Sequence, residues 1–261
     1  MGIYYFSVFV FFPIALYIAI AGASYRIFRF VFLYSKGVYV PRPGGKVGAG
    51  LPETFGHAAK WSSKTMKREI AGGLVALHLA LILVVLLLAQ HIVYIEQYIP
   101  FYSVLWPLAI PLSPTTGALT VTAPFTPTQV GMSDVFVNTI WGPLTIILNG
   151  EVLTLIGMLG VGYKIGEKIY LAAVEKAKFA RIGDLWIYGI LIFVIVTGLL
   201  AAWHLPSADV ATYREVLGLH ILSGELLLMT FPFTKYFHAV WGFWYGKFHE
   251  WYDLYIKRGT R

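Results

Sequence analysis

Apolar residues fall into five blocks, about 3–25, 70–95, 138–163, 184–204 and 215–241, separated by stretches richer in charge, glycine and proline. Each block has the roughly 20 residues a helix needs to cross about 30 Å of hydrocarbon. A spanning backbone must satisfy its own hydrogen bonds, which leaves helices or a closed barrel. Barrel strands are short and alternate polar with apolar positions, and these blocks do not. The pattern therefore predicts an all-α membrane protein with five transmembrane helices, forming one integral-membrane domain over 1–261. The connection at about 96–137 holds no Lys or Arg and carries Pro100, Pro107, Pro111, Pro114, Pro124 and Pro127. Its apolar stretch from Phe101 to Leu112 is broken by Pro107 and Pro111 and is too short to span. A structured cap on the outer interface is expected there, with Tyr98, Tyr102 and Trp106 at headgroup level. The segment from Arg42 to Trp61 predicts a polar loop with a short interfacial helix. No internal repeat and no second soluble domain is evident.

Composition supports the membrane reading. Hydrophobic residues make up 58% of the chain, charged residues 13%, and the mean hydropathy is +0.70. A soluble domain carries about 25% charged residues, so much of the expected solvating surface is missing. The absence of cysteine excludes disulfides, thiolate-bound iron–sulfur clusters, c-type haem attachment and cysteine zinc sites. The first block lacks a basic leader and a small-residue cleavage site, so it reads as a retained helix.

The net charge of +7 is explained by its distribution, with no need for nucleic acid. The first connection, about 26–69, holds nine of the twenty basic residues. The third holds Lys164, Lys168, Lys176, Lys178 and Arg181, and the C-terminal end holds Lys235, Lys247, Lys257, Arg258 and Arg261. If five helices alternate, nineteen of the twenty fall on one side and only Arg214 on the other. The positive-inside rule then puts the N-terminus outside and the C-terminus in the cytoplasm of a prokaryotic plasma membrane.

Seven histidines occur, and four of them, His78, His91, His220 and His238, lie inside predicted spans. A histidine in hydrocarbon is costly and marks function by default, although a hydrogen bond to a neighbouring helix explains any single one. His220 and His238 are 18 residues apart, five turns, so they share a face about 27 Å apart along the axis. His78 and His91 are 13 apart, about 20 Å by the same rise. The second and fifth spans run in opposite directions, which puts His91 with His220 in the outer half and His78 with His238 in the inner half. Two bis-histidine sites between helices 2 and 5 follow, and two haems b suit them, being large, apolar and held by axial imidazoles. Thirteen residues turn an ideal helix by about 220°, so the second span must bend or tilt, or hold its haems on different sides.

The stretches GDLWIYGILIFVIVTGLL and LGLHILSGELLLMTFPFTKYFHAVW, within about 183–242, carry a resemblance to a known family. They resemble the di-haem cytochrome b (gamma) subunit of respiratory nitrate reductases, with related cytochromes of sulfur-compound and heterodisulfide oxidoreductases. In that family one haem ligand lies in the fifth helix. A second follows 18 residues later, after a Phe-Pro-Phe motif with Ser/Thr and a basic residue. The corresponding residues are His220, Phe231 to Lys235, and His238, and by position His78 and His91 match the ligands of the second helix. The resemblance covers helix 2 and helices 4 and 5, about half the chain. It implies an electron relay between menaquinol-type quinol and an iron–sulfur partner subunit, with a molybdenum-type or other catalytic subunit further on. The basic residue that the family associates with quinol near the outer haem has no counterpart in the loop at 96–137.

Other polar residues have plainer readings beside functional ones. Glu151, well inside the third predicted span, and His204, at the outer end of the fourth, are the candidates for exchanging protons with quinol. Local pairing and an ordinary interfacial position, respectively, are the simpler expectations. Glu225, deep in the fifth span, should pair with a hydroxyl or backbone group or carry a proton. Lys235 could meet a haem propionate or snorkel to the interface. His57 and His249 read as surface residues. Two other functions compete with the relay: a transporter or proton channel lined by histidines, and a non-redox membrane anchor. The first lacks inverted repeats and paired broken helices, and the second needs no histidines in its spans.

Overall fold

The computed structural model describes residues 2–35, 74–113, 118–122, 126–130, 140–174 and 182–237. Helices dominate them, with one antiparallel hairpin. The first helical rod, α1, comprises Ile3–Tyr5, a π-helical stretch Phe6–Phe11 and Phe12–Ser35. The π stretch has a local cause in Pro13, which lacks an N–H and whose ring crowds the carbonyl four residues back. Widening the preceding turn relieves that crowding. Then come α2 (Leu74–Leu87), α3 (Ala89–Glu96), a 3₁₀ turn Pro100–Leu108, strands β1 (Ala118–Thr122) and β2 (Thr126–Val130), and a 3₁₀ turn Gly142–Ile146. Helices α4 (Gly150–Val174), α5 (Ile182–Ala202) and α6 (Val210–Thr230) follow, ending in 3₁₀ turns Phe231–Phe233 and Lys235–Phe237.

Two segments, Ile3–Arg29 and Val210–Phe233, are long and apolar enough to cross a membrane. Only 33% and 22% of their most apolar windows is buried, which is unlike the core helix of a soluble protein. Large side chains such as Tyr17, Phe28, Leu159 and Trp186 stand exposed on the helices. Large apolar side chains exposed in this number on helices are what lipid covers.

Several predicted boundaries move, each for a local reason. The first helix runs on past residue 25 to Ser35. The second predicted span, 70–95, is two helices with a break at Leu88. The third, 138–163, begins late, because Gly142-Pro143 starts a 3₁₀ turn and Asn149 caps α4 by accepting Val152 N–H at 3.0 Å. It also runs on to Val174, with Lys164 and Glu167 paired at 2.9 Å. The fourth, 184–204, matches Ile182–Ala202 closely. The fifth starts early, at Val210, and its α-helical part stops at Thr230 because Pro232 cannot continue it. Residues 238–241 of that prediction lie outside the described residues, as does the interfacial helix expected within 42–61. The hairpin departs from the all-α expectation. It pairs Ala118 with Val130 through Thr122 with Thr126, in a Thr- and Val-bearing stretch suited to strands.

The chain divides into two compact units, 1–67 with 218–261, and 68–217. In the first, α1 and the later part of α6 lie parallel. A β-carbon on Gly218 would stand 2.5 Å from the Tyr4 backbone, and one on Gly22 would stand 2.7 Å from Pro232 Cγ. Glycine at both points lets the helices touch. Ser7 Oγ donates to Gly218 O (3.0 Å) at one end. At the other, Arg26 Nη1 donates to Pro232 O (2.8 Å) and Thr234 O (3.3 Å), and its guanidinium lies 4.6 Å from the Phe237 ring centre. The first bond satisfies a carbonyl at the helix end, and Thr234 O also accepts Phe237 N–H at 3.4 Å in the turn that follows.

In the second unit α2 and α4 are antiparallel, with Gly157 beside Ala80 and Gly150 against Leu88. The core there gathers Ala80, Leu88, Ile110 and Leu153. The end of α5 returns to the start of α4, where Trp203 Nε1 donates to Glu151 Oε1 at 3.1 Å. Three successive helices therefore alternate in direction.

Candidate functional site

The break at Leu88 organises the most developed polar arrangement among the described residues. Leu88 is extended, with φ −60° and ψ 127°, so the last carbonyls of α2 lose their helical partners. Other groups take their places. Val84 O keeps its helical bond from Leu88 N–H at 3.3 Å and accepts His91 Nδ1–H at 2.8 Å as well. Leu86 O accepts the Tyr102 hydroxyl at 3.0 Å. Ile110 N–H donates to Leu87 O at 2.8 Å, and Ala89 N–H donates to Ile110 O at 3.0 Å. Buried irregular backbone is tolerated when other groups of the protein satisfy it in this way.

The cause of the break is not in the run Leu83 to Ala89, which holds neither proline nor glycine. It comes from Ile110. Pro111 biases the residue before it toward the extended form, and extended Ile110 pairs with Leu88 as a one-residue parallel bridge. Ile110 and Ala109 are completely buried, and Ile92 packs with Ala109 under Tyr102, Leu105 and Trp106. Burial pushes the Tyr102 hydroxyl above its ordinary range, so it remains a donor to Leu86 O. Trp106 Nε1 ties the 3₁₀ turn to α3 through Glu96 Oε2 at 2.9 Å.

This arrangement orients His91. A carbonyl can only accept, so the 2.8 Å bond to Val84 O fixes the proton on Nδ1 and the lone pair on Nε2. A metal-ligating imidazole is oriented in the same manner, with one nitrogen donating to the protein and the other facing the metal. The half-buried ring therefore fits an axial ligand of haem.

The other expected ligands stand as follows. His78 is on α2, on the far side of the break from His91, with its side chain exposed. His220 is on α6, half-buried, and its carbonyl accepts Ser223 Oγ at 2.7 Å. His91 and His220 belong to different compact units, each described by itself. His238 lies outside the described residues, and Lys235 opens the turn Lys235–Phe237. Among the described residues no three His, Cys, Asp or Glu side chains gather to hold a metal ion, an arrangement that two-imidazole ligation does not require.

The two proton-exchange candidates come into one neighbourhood. Glu151 is in the first turn of α4, not deep in a span, and its carboxylate suits the positive helix end. It is bonded to Trp203, the residue before His204. His204 itself ends α5. With φ +52° it occupies the left-handed position of a helix stop in which Leu205 N–H reaches Leu200 O and His204 N–H reaches Ala201 O. Its ring lies 5.1 Å from that of Tyr213. Trp203 and Tyr213 were not singled out by sequence, because an aromatic at a span end reads as a belt residue. Ile110 was missed for the same kind of reason, being one apolar residue among many.

No family model, curated protein or solved structure matches this chain.

Proposed function

We propose that this chain is a di-haem membrane cytochrome b of the nitrate reductase gamma type. On this reading it relays electrons between membrane quinol and an iron–sulfur partner subunit of a larger oxidoreductase. The observation that carries the reading is the His91 ring, oriented by the 2.8 Å bond from Nδ1 to Val84 O as a metal-ligating imidazole is oriented. When bound, haem supplies one-electron chemistry. The protein's part is to hold the imidazoles, keep water away and set the surrounding charge. His91 with His220 and His78 with His238 are the proposed pairs, with Lys235 near the inner one.

The five-span arrangement has a support that sequence alone did not offer. Parallel α1 and α6, if both cross, require an odd number of crossings between them. The chain between them supplies three helices of alternating direction, α2 with α3, α4 and α5. The break at Leu88 lies between His78 and His91, so the rotation of an unbroken helix does not apply to them. With the N-terminus outside, the basic face is cytoplasmic and is the proposed docking side for the iron–sulfur and catalytic subunits. Quinol would be oxidised at the outer end, where Glu151 and His204 are the proposed proton-exchanging groups.

A broken helix in a membrane is also a transporter feature, and the break at Leu88 favours that second reading. Transporters of that kind pair two broken helices in related halves, whereas α4, α5 and α6 run unbroken.

Pyridine haemochrome analysis of the purified chain tests the proposal. Two noncovalent haems per chain are expected, and His91→Ala and His220→Ala should each remove the same one. A chain without a reduced b-type α band would sink the reading. Loss of different haems from the two variants would overturn the pairing.

A further inference from the structure

The seam between α1 and the later part of α6 has a polar group at its centre. Gly218 and Pro232 touch α1 near its Tyr4 and Gly22 ends. Glu225 is seven residues from each, and seven residues bring a helix back to within about 20° of the same face. It therefore lies on that face of α6, midway between the two points of contact. Between those ends α1 buries the apolar Val8, Phe12, Ala15 and Ala19 and one polar residue, Ser7. Glu225 is 3% exposed, and neither carboxylate oxygen has a hydrogen-bond partner among the described residues.

The polar groups around it are engaged elsewhere. Ser7 Oγ donates to Ile3 O and Gly218 O, Ser223 Oγ to His220 O, and Thr230 Oγ1 to Leu226 O and Leu227 O. α1 has no charged residue before Arg26, whose guanidinium is bonded to Pro232 O and Thr234 O. The tyrosines of α1 are Tyr4, Tyr5, Tyr17, Tyr25 and Tyr34; Tyr4 is buried and lies at the Gly218 end, Tyr5, Tyr17 and Tyr25 are exposed, and Tyr34 lies beyond the Gly22 contact. On α6 the other ionisable groups are Tyr213, Arg214, Glu215 and His220, all toward the helix start. An ionised carboxylate buried without a partner costs several kcal/mol, and binding a proton removes that cost.

We propose that Glu225 is an intramembrane proton-binding site, which holds a proton as a neutral carboxylic acid and releases it when an electron leaves the relay. The electron-linked part rests on the function proposed above. His220 is five residues away, about 7.5 Å along the helix. At that range a change of charge on the relay is felt strongly in a medium of low dielectric. Oxidation by ferricyanide would withdraw one electron from the haem that His220 would hold, and one proton would pass from the Glu225 carboxyl to water. Reduction by dithionite returns the electron, and the carboxylate takes up a proton.

Infrared spectroscopy of the full chain in detergent tests this. In dithionite-reduced protein at neutral pH, the carbonyl stretch of a protonated carboxyl should be present, shift in D₂O and disappear in Glu225→Gln. Ferricyanide oxidation should diminish the same band. A reduced spectrum that is identical in wild type and Glu225→Gln overturns the proton site. A band that ignores oxidation, in protein with a normal b-type spectrum, overturns the proposal and leaves the relay standing. A chain without any b-type spectrum refutes the relay, and the reduced-state band then decides the proton site alone. Should Glu225→Gln fail to accumulate, wild-type protein is treated with dicyclohexylcarbodiimide, which modifies protonated carboxyls in apolar surroundings. An adduct on the Glu225 peptide supports the site, and an unmodified peptide overturns it.

Discussion

Replacing Gly218 by alanine should weaken the protein through a single close contact. The new β-carbon would stand 2.5 Å from both Tyr4 Cα and Tyr4 N and 3.0 Å from Ile3 C, all backbone atoms. Carbon–carbon contacts normally rest at about 3.5–4.0 Å, so α1 must retreat by about 1 Å. Overpacking of this kind costs about 1–3 kcal/mol. The retreat also stretches the 3.0 Å bond from Ser7 Oγ to Gly218 O, which contributes about 1 kcal/mol. Against that, alanine is a better helix former than glycine by about 0.5–1 kcal/mol. The expected net loss is about 1–3 kcal/mol, read as a lower unfolding midpoint in detergent. Gly189→Ala is the reference, since nothing lies within 4 Å of its β-carbon and only the helix-forming gain applies. A Gly218→Ala protein as stable as Gly189→Ala would refute the close approach of the two helices. A double-mutant cycle with Ser7→Ala should show coupling between the two sites.

Three further outcomes are expected. Ile110→Ala removes a completely buried side chain from the clamp on Leu88 and should cost about 2–5 kcal/mol by equilibrium unfolding, Ile110→Val only about 0.5–1.5. Arg26→Gln gives up the two carbonyl bonds and the Phe237 contact, so a loss of about 1–2 kcal/mol is expected; an unchanged unfolding midpoint would show that the clamp contributes nothing. At Asp209, hydrogen bonds from Ser207 and then Thr212 hold the carboxyl well below the ordinary range. A depressed carboxyl stabilises the fold fully above its unfolded value of about 4, and that contribution is lost as pH falls through the folded value. The stability difference between wild type and Asp209→Ala should therefore be constant near neutrality and shrink in strong acid; a difference independent of pH would contradict the role of the charge.

Much of the architecture was legible in the order of residues, because burying side chains in lipid is a property of composition over about 20 positions. The apolar blocks, the basic residues between them and the two long spans at Ile3–Arg29 and Val210–Phe233 needed no tertiary information. Local chemistry also set several ends, such as Pro232 stopping α6 and Asn149 capping α4. Glu225 could be named from sequence as a buried carboxylate, but its lack of a partner could not, since that depends on what every neighbouring hydroxyl is already bonded to.

Tertiary structure alone decided the rest. No residue between Leu83 and Ala89 breaks a helix, so the interruption at Leu88 comes from Ile110, twenty-two residues later in the chain. That pairing, and the His91 bond to Val84 O beside it, involve backbone groups, which every residue carries and no pattern of side chains announces. The parallel contact of α1 with α6 depends on Gly218 and Gly22, two of 26 glycines that look alike in sequence. What distinguishes them is a distance to another helix, and distance is supplied only by the fold.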